Sequence, residues 1–194
     1  MTAPYVTGVV LAAGASRRLG RPKQVLPYRD TTVLGATLDV ARAAGFEQLI
    51  VTLGGAAQLV RDQVSLDGID VVTVADFGTG CSASLRVALD AVDSRSKGVV
   101  LMLGDQPGID PADVRRISTV AADIRVCRYT DGVGHPFWFS RNMFGEISRL
   151  HGDKGVWKLI ESGRYEVGEL RIDGPVPLDV DTWEDYQRLL ATAP

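Results

Sequence analysis

Short, almost continuous apolar runs alternate along the chain with longer segments in which apolar residues recur at helical spacing. The runs at 6–12, 48–53, 70–75, 98–103 and 124–129 are apolar at nearly every position, as a strand covered on both faces must be. Between them, 33–44, 82–92 and 111–121 carry the helical period. The first ends at Gly45, the second follows a glycine-rich turn, and the third opens with Pro111 behind Asp110. Proline suits that position because the first helical turn leaves its N–H groups unpaired anyway. This alternation predicts an α/β fold, a three-layer Rossmann-like arrangement in which a mostly parallel sheet is covered by helices on both faces.

After residue 129 the rhythm changes. Asp131, Gly132 and Gly134 make a turn, 135–140 reads as an aromatic strand, and 142–150 and 154–161 read as helices. The stretch 130–165 is predicted to be an insertion or lid. Residues 167–172 read as a further strand, Pro175 and Pro177 restrict the chain beyond it, and 182–190 closes as a helix. No repeat, low-complexity tract or linker interrupts the 194 residues, so 1–194 is expected to be a single domain.

Composition narrows the chemistry. With 45% hydrophobic residues the chain can bury a substantial core, and 21 Lys and Arg against 24 Asp and Glu give a formal charge of -3. No basic surface for nucleic acid or membrane is implied, which favours small-molecule chemistry. Cys81 and Cys127 stand far apart, so neither a disulfide framework nor a thiolate zinc site can be read, and a reducing compartment fits. The apolar stretch 6–13 is too short to span a bilayer and no basic segment precedes it, which predicts a cytoplasmic protein.

The chemistry concentrates first in the loop Leu11-Ala12-Ala13-Gly14-Ala15-Ser16-Arg17-Arg18-Leu19-Gly20-Arg21-Pro22-Lys23. Its small residues let backbone amides approach an anion, cations follow at once, and the loop lies where open α/β sheets bind phosphates. It does not end in Gly-Lys-Ser/Thr, and Gly8, Gly14 and Gly20 are wrongly spaced for Gly-x-Gly-x-x-Gly. A Walker A loop and a dinucleotide-binding dehydrogenase are thereby disfavoured. The second concentration is the strand Val99-Val100-Leu101-Met102-Leu103-Gly104-Asp105-Gln106-Pro107, which delivers Asp105 to its C-terminal edge. A carboxylate there can hold magnesium, which prefers oxygen ligands, or can cap the following turn.

The first loop resembles the signature Leu-Ala-Ala-Gly-x-Ser-x-Arg-Met/Leu-Gly-x-x-Lys of nucleotidyltransferases with a GT-A-like fold. Pro177-Leu178-Asp179-Val180-Asp181-Thr182-Trp183-Glu184-Asp185 is similar to their terminal Asp-Ile-Asp-Thr-Pro-Glu-Asp segment, with Trp183 in place of proline. Gly80-Cys81-Ser82-Ala83-Ser84-Leu85-Arg86, Gly134-His135-Pro136 and Gly152-Asp153-Lys154-Gly155 resemble segments of the molybdenum-cofactor cytidylyltransferase subgroup of the MobA-like nucleotidyltransferase family.

The resemblance implies transfer of CMP from CTP to the phosphate of a molybdopterin-type cofactor, with release of pyrophosphate and with Mg2+ as cofactor. It places the nucleotide on Leu11, Ala12, Ala13, Gly14, Ser16, Arg18, Lys23, Ser82 and Ser84, and the acceptor on His135, Pro136 and Lys154, so that 130–165 would lie on the acceptor side. Arg18, Lys23 and Asp105 become the catalytic residues, Asp105 and Asp181 the metal ligands, with Asp179 as the weaker alternative to Asp181. Arg17 and His151 are read as solvent-facing, and Trp138 and Trp157 as core.

Ordinary structural roles compete at several of these positions. Asp181-Thr182 ahead of Glu184 also reads as a helix N-cap with acids in the first turn, Ser82 and Ser84 as first-turn serines, and His135 as a structural histidine. Because the acceptor phosphate is already an anion, no general base is required, and positioning carries the reaction. A GTP-dependent guanylyltransferase, a transferase for another phosphorylated acceptor and a non-catalytic cofactor carrier are the alternatives; a molybdoenzyme is the implied client.

Overall fold

The computed structural model describes residues 4–75, 80–118, 122–152 and 154–192. Its first strand, β1 (Thr7–Ala12), is buried at every position, because successive side chains alternate between two apolar layers. Val10 and Ala12 enter one layer, Val9 and Leu11 the other. A short hairpin, β2 (Pro27–Tyr28) and β3 (Thr31–Thr32), precedes α1 (Val33–Ala44). Thr32 caps α1 by accepting from the Gly35 amide, and Gly45 ends it in the left-handed conformation, as sequence reading expects of that glycine.

The chain continues through β4 (Gln48–Leu53), α2 (Ala57–Gln63), β5 (Asp70–Thr73), α3 (Cys81–Asp90), β6 (Gly98–Leu103) and α4 (Pro111–Ile117). It then runs through β7 (Ile124–Arg128), β8 (Val133–Ser140), α5 (Phe144–Ile147), α6 (Gly155–Glu161), β9 (Val167–Arg171) and α7 (Trp183–Thr192). The seven long strands form one sheet in the order β5-β4-β1-β6-β8-β7-β9. β8 pairs antiparallel with both β6 and β7; the other pairings are parallel.

Helices α1, α2 and α4 cover one face through residues such as Leu34, Leu38, Val60 and Val114. Helices α3, α5 and α6 cover the other through Leu85, Ile147 and Leu159. The three-layer α/β architecture read from the sequence is therefore the one observed.

Local differences have local causes. The stretch 142–150 gives a 3-10 turn, Arg141–Met143, followed by the four-residue α5 rather than one continuous helix. α4 ends at Ile117; residues 119–121 of that expected helix, the turn residues 76–79 and Asp153 lie outside the described residues. Within the segment 130–165, β8 runs through the sheet, with Phe137 opposite Leu101 of β6 and Val126 of β7. That strand is part of the sheet's interior, while α5 and α6 cover its apolar face.

The fold positions a site through its strand order. β1 is flanked by β4 on one side and β6 on the other, and α1 and α3, which lead to those neighbours, lie on opposite faces. In open α/β sheets such an arrangement places the ligand crevice beyond the carboxyl ends of the strands, here β1 and β6. The Gly104 amide donates to Leu11 O at 2.9 Å and extends the pairing to the crevice's edge. Glycine is required here, since a Cβ on Gly104 would stand 2.8 Å from the Ala12 Cβ.

Candidate active site

Four side chains from three distant stretches converge at that crevice. The Lys23 ammonium donates to an Asp105 carboxylate oxygen and to Asp181 Oδ1 at 2.9 Å; Arg18 donates to Asp181 Oδ2 at 2.7 Å. The local reasons differ for each. Asp105 arrives on the end of β6 and is 8% exposed. Lys23 opens the 3-10 turn Lys23–Val25, and its backbone amide donates to Ser16 Oγ at 3.0 Å, which fastens the turn to the loop.

Asp181 is available to these cations because its neighbour caps the helix. Thr182 Oγ1 accepts from the Asp185 amide at 3.2 Å, and Asp185 Oδ2 accepts from the Thr182 amide at 2.9 Å. This is a reciprocal capping box at the start of α7, and it leaves the Asp181 carboxylate to face Lys23 and Arg18. The two carboxylates of Asp105 and Asp181 thus converge on a single cation.

The electrostatics follow from burial and pairing. Burial opposes the charge on Lys23, but attraction to Asp105 and Asp181 outweighs it and raises the pKa. Burial likewise opposes the charge on Asp181, and Lys23 and Arg18 outweigh it, holding the carboxyl below its ordinary value. Both partners therefore stay charged at neutral pH. Asp179 behaves oppositely. Burial, with the charge of Asp105, pushes its pKa up to about 6 despite a hydrogen bond from Gln106. That bond, Gln106 Nε2 to Asp179 Oδ1, measures 2.6 Å and ties the loop after β6 to the segment before α7.

The loop after β1 has its own support. Gln24 Nε2 donates to Ala12 O at 2.7 Å and to Gly14 O at 3.0 Å. Gly14 and Ala15 are exposed, and a Cβ on Gly14 would meet nothing within 4 Å, so the loop's outer side is open to a ligand. Ser16 has a left-handed backbone with φ 50°. Leu19, at the loop's far end, is buried against Leu26, Val180 and Leu189, a small third core that joins the loop to α7. Arg17 is exposed, as its sequence reading has it.

Other expected site residues have partners of their own. Ser82 and Ser84 are buried in the first turns of α3, and the Ser82 hydroxyl donates to Gly152 O at 2.5 Å. Ser82 thereby anchors the turn before α6 and is not open to a nucleotide; a Cβ on Gly155 would come 2.4 Å from its Oγ. His135 is buried, its ring 4.1 Å from that of Phe137 and edge-on to Trp157. Desolvation pushes its pKa down to about 3, so it is neutral and is no cation for a phosphate. Pro136 is buried beside it in β8, whereas Lys154 is exposed at the start of α6.

Sequence reading missed Gln24 and Gln106. Each follows a charged site residue directly, but a polar residue at such a position reads as surface, and only its burial, 3% and 2% exposed, shows that it braces the site from beneath. Among the described residues no cluster of three or more His, Cys, Asp or Glu has metal-binding geometry; the donor set consists of the two carboxylates that share Lys23. No helix among those residues is long and apolar enough to cross a membrane.

Comparison with known proteins agrees with this architecture. The nicotine blue oxidoreductase of Paenarthrobacter nicotinovorans is 31% identical over 96% of this chain and 97% of its own length. The crystal structure of Rv0371c from Mycobacterium tuberculosis H37Rv superposes with a TM-score of 0.94 at 70% identity, covering 99% of this chain and all of that one. A crystal structure of Rv0371c in complex with manganese gives a TM-score of 0.90 at 66% identity, over 97% of this chain and 100% of the other. Residues 8–167 match the family model described as the MobA-like NTP transferase domain, and the chain belongs to that family.

Proposed function

We propose that this nucleotidyltransferase moves CMP from CTP to a molybdopterin-type phosphorylated cofactor, with release of pyrophosphate and with magnesium bound by Asp105 and Asp181. The observation that carries the reading is the convergence of Asp105 and Asp181 on the Lys23 ammonium beside the open loop after β1. Two carboxylates already arranged around a positive charge suit a hard divalent cation, which takes oxygen ligands from one or two carboxylates and completes its shell with phosphate and water. The manganese complex of Rv0371c supports binding of a divalent cation by this chain. Bound there, the cation would neutralise charge on the triphosphate.

The chain's own residues supply the rest. The backbone amides of the loop after β1 bind the triphosphate, and Arg18, whose side chain is 66% exposed and paired with Asp181, adds a cation to its outer phosphates. Lys23, released from Asp105 and Asp181 by the incoming anion, follows the departing pyrophosphate. Each acts on charge that develops as the α-phosphorus is attacked, which is where fixed cations lower the barrier. The acceptor phosphate needs no base, consistent with a buried, neutral His135. Lys154 is the exposed cation proposed to meet the acceptor. The loop after β1 lacks the Gly-x-Gly-x-x-Gly spacing of dinucleotide sites, which speaks against hydride chemistry at this crevice.

The test is calorimetric titration with CTP, GTP and ATP in the presence and absence of magnesium, with Asp105→Ala as control, followed by turnover with the molybdopterin acceptor. CTP binding that requires metal and is lost in Asp105→Ala is the expected result. A preference for GTP would replace the cytidylyl assignment by a guanylyl one. Failure of the folded protein to bind any triphosphate with metal present would sink the reading.

A further inference from the structure

Gln24 is a buried side chain whose work none of the functional residues above explains. It is 3% exposed and lies directly beneath the loop after β1. Its Nε2 donates to two carbonyls, Ala12 O and Gly14 O. Its Oε1 is buried and has no hydrogen-bond partner among the described residues. An unpartnered buried oxygen is destabilising, and an apolar side chain of the same length would fill the space without it. A sequence that keeps such a group at a binding crevice is keeping it for the donor end.

The effect of those two bonds follows from peptide geometry. Among the described residues the one cis bond is His135–Pro136, so the loop's peptides are trans and planar. In such a unit the carbonyl of one residue and the N–H of the next point in opposite directions. Drawing Ala12 O and Gly14 O inward to one amide group therefore turns the N–H groups of Ala13 and Ala15 outward. Neither donates in any of the loop hydrogen bonds among the described residues. Two successive outward amides separated by one residue form a concavity for an anion, and Gly14 between them leaves its outer side open.

We infer that Gln24 is a positioning residue that holds the Ala13 and Ala15 amides toward the triphosphate. The inference rests on the reading of this loop as the triphosphate site. Because these amides meet phosphate before and during the reaction alike, their loss weakens binding in ground and transition states together. It acts on phosphate, so the loss is the same whatever the base.

The experiment uses the full chain, labelled with 15N, and tripolyphosphate as the probe, alongside CTP and GTP. In the wild type, saturating tripolyphosphate shifts the Ala13 and Ala15 amide resonances. In Gln24→Met, which keeps the length and removes both donors, dissociation constants for tripolyphosphate, CTP and GTP rise together by about tenfold. The loss appears in KM rather than kcat, and the two amide shifts shrink. A folded Gln24→Met that binds all three ligands as the wild type does overturns the inference. So do wild-type Ala13 and Ala15 amides that do not respond to saturating anion, a result that decides the matter even if Gln24→Met fails to fold. A wild type that binds neither CTP nor tripolyphosphate with metal present overturns instead the nucleotidyltransferase reading on which the inference stands.

Discussion

Lys23 holds together two carboxylates that would otherwise repel each other. Its side chain and that of Asp105 are only 16% and 12% exposed, so each charge depends on the other for the solvation it has lost. Removing one partner of such a pair is costly, about 3–5 kcal/mol in comparable cases. Lys23→Met should therefore destabilise the metal-free protein by several kcal/mol, and a divalent cation should restore part of that loss by taking the ammonium's place. Thermal unfolding of wild type and Lys23→Met with and without millimolar magnesium or manganese checks this. A cation-induced rise in Tm that is no larger in the variant would show that Asp105 and Asp181 do not share a metal. Arg18 and Asp181, at 66% and 42% exposed, form a pair worth little to stability, so Arg18→Ala should impair turnover while leaving Tm nearly unchanged. His135 gives a pH signature of a different kind. Its pKa lies near 3 in the fold against 6.5 for the ordinary side chain, so between these values the unfolded chain binds a proton that the folded chain refuses. That difference removes stability as pH falls below 6.5 and has no effect above it. Urea unfolding at pH 7.5 and pH 5 should show the wild type losing about 2 kcal/mol more than His135→Gln over that interval. Equal losses would mean that the imidazole gains a proton within the fold.

Individual elements decide whether those residues meet. The Thr182–Asp185 capping box fixes the first turn of α7 immediately after Asp181. Thr182→Ala should cost about 1 kcal/mol in unfolding free energy, and with Asp181 less well fixed, metal affinity should fall with it. Calorimetric titration with manganese would read the second effect, and an unchanged affinity would separate cap from site. The same region shows what a sequence can carry. Asp181 and Thr182 both offer N-cap chemistry, and the residue pattern does not choose between them; the reciprocal bonds of Thr182 with Asp185 make the choice. The strands at 48–53 and 98–103 are legible because both faces are covered and each run is apolar throughout. Helix α2 leaves no such mark, since Val60 is its one buried residue and no apolar stripe forms. The two-residue strands β2 and β3 are too short to show alternation. Strand order is also invisible locally: 135–140 reads as a strand, but its pairing with both β6 and β7 depends on contacts remote in sequence. The chemistry of the loop after β1 is legible from its small residues and cations, whereas Gln24 and Gln106 act through burial, which no short motif records.

At the scale of the molecule, the crevice is bounded by parts of the chain that share a small apolar core of their own beside their polar contacts. Leu19, Leu26, Tyr28 and Val33 pack against Val180 and Leu189, joining the loop after β1 and the β2–β3 hairpin to the segment that carries Asp181. This third core is separate from the two large layers that flank the sheet. Stability and site geometry can therefore be uncoupled by choosing where to make a cavity. Leu26 and Leu101 are each 1% exposed, and truncation of either to alanine should cost on the order of 2–5 kcal/mol. Leu101→Ala weakens the sheet's helix-covered face, where the loss is spread over a large, continuous layer, and nucleotide affinity should be retained. Leu26→Ala loosens the apolar contact that joins the loop carrying Lys23 to the segment carrying Asp181, so triphosphate and metal binding should fall together. Urea unfolding and calorimetric titration of the two variants, side by side at a temperature where both are folded, compare the outcomes directly. If Leu26→Ala binds as well as Leu101→Ala at equal loss of stability, then the approach of Lys23 to Asp181 is set by the ion pairs themselves, and the third core serves the fold alone.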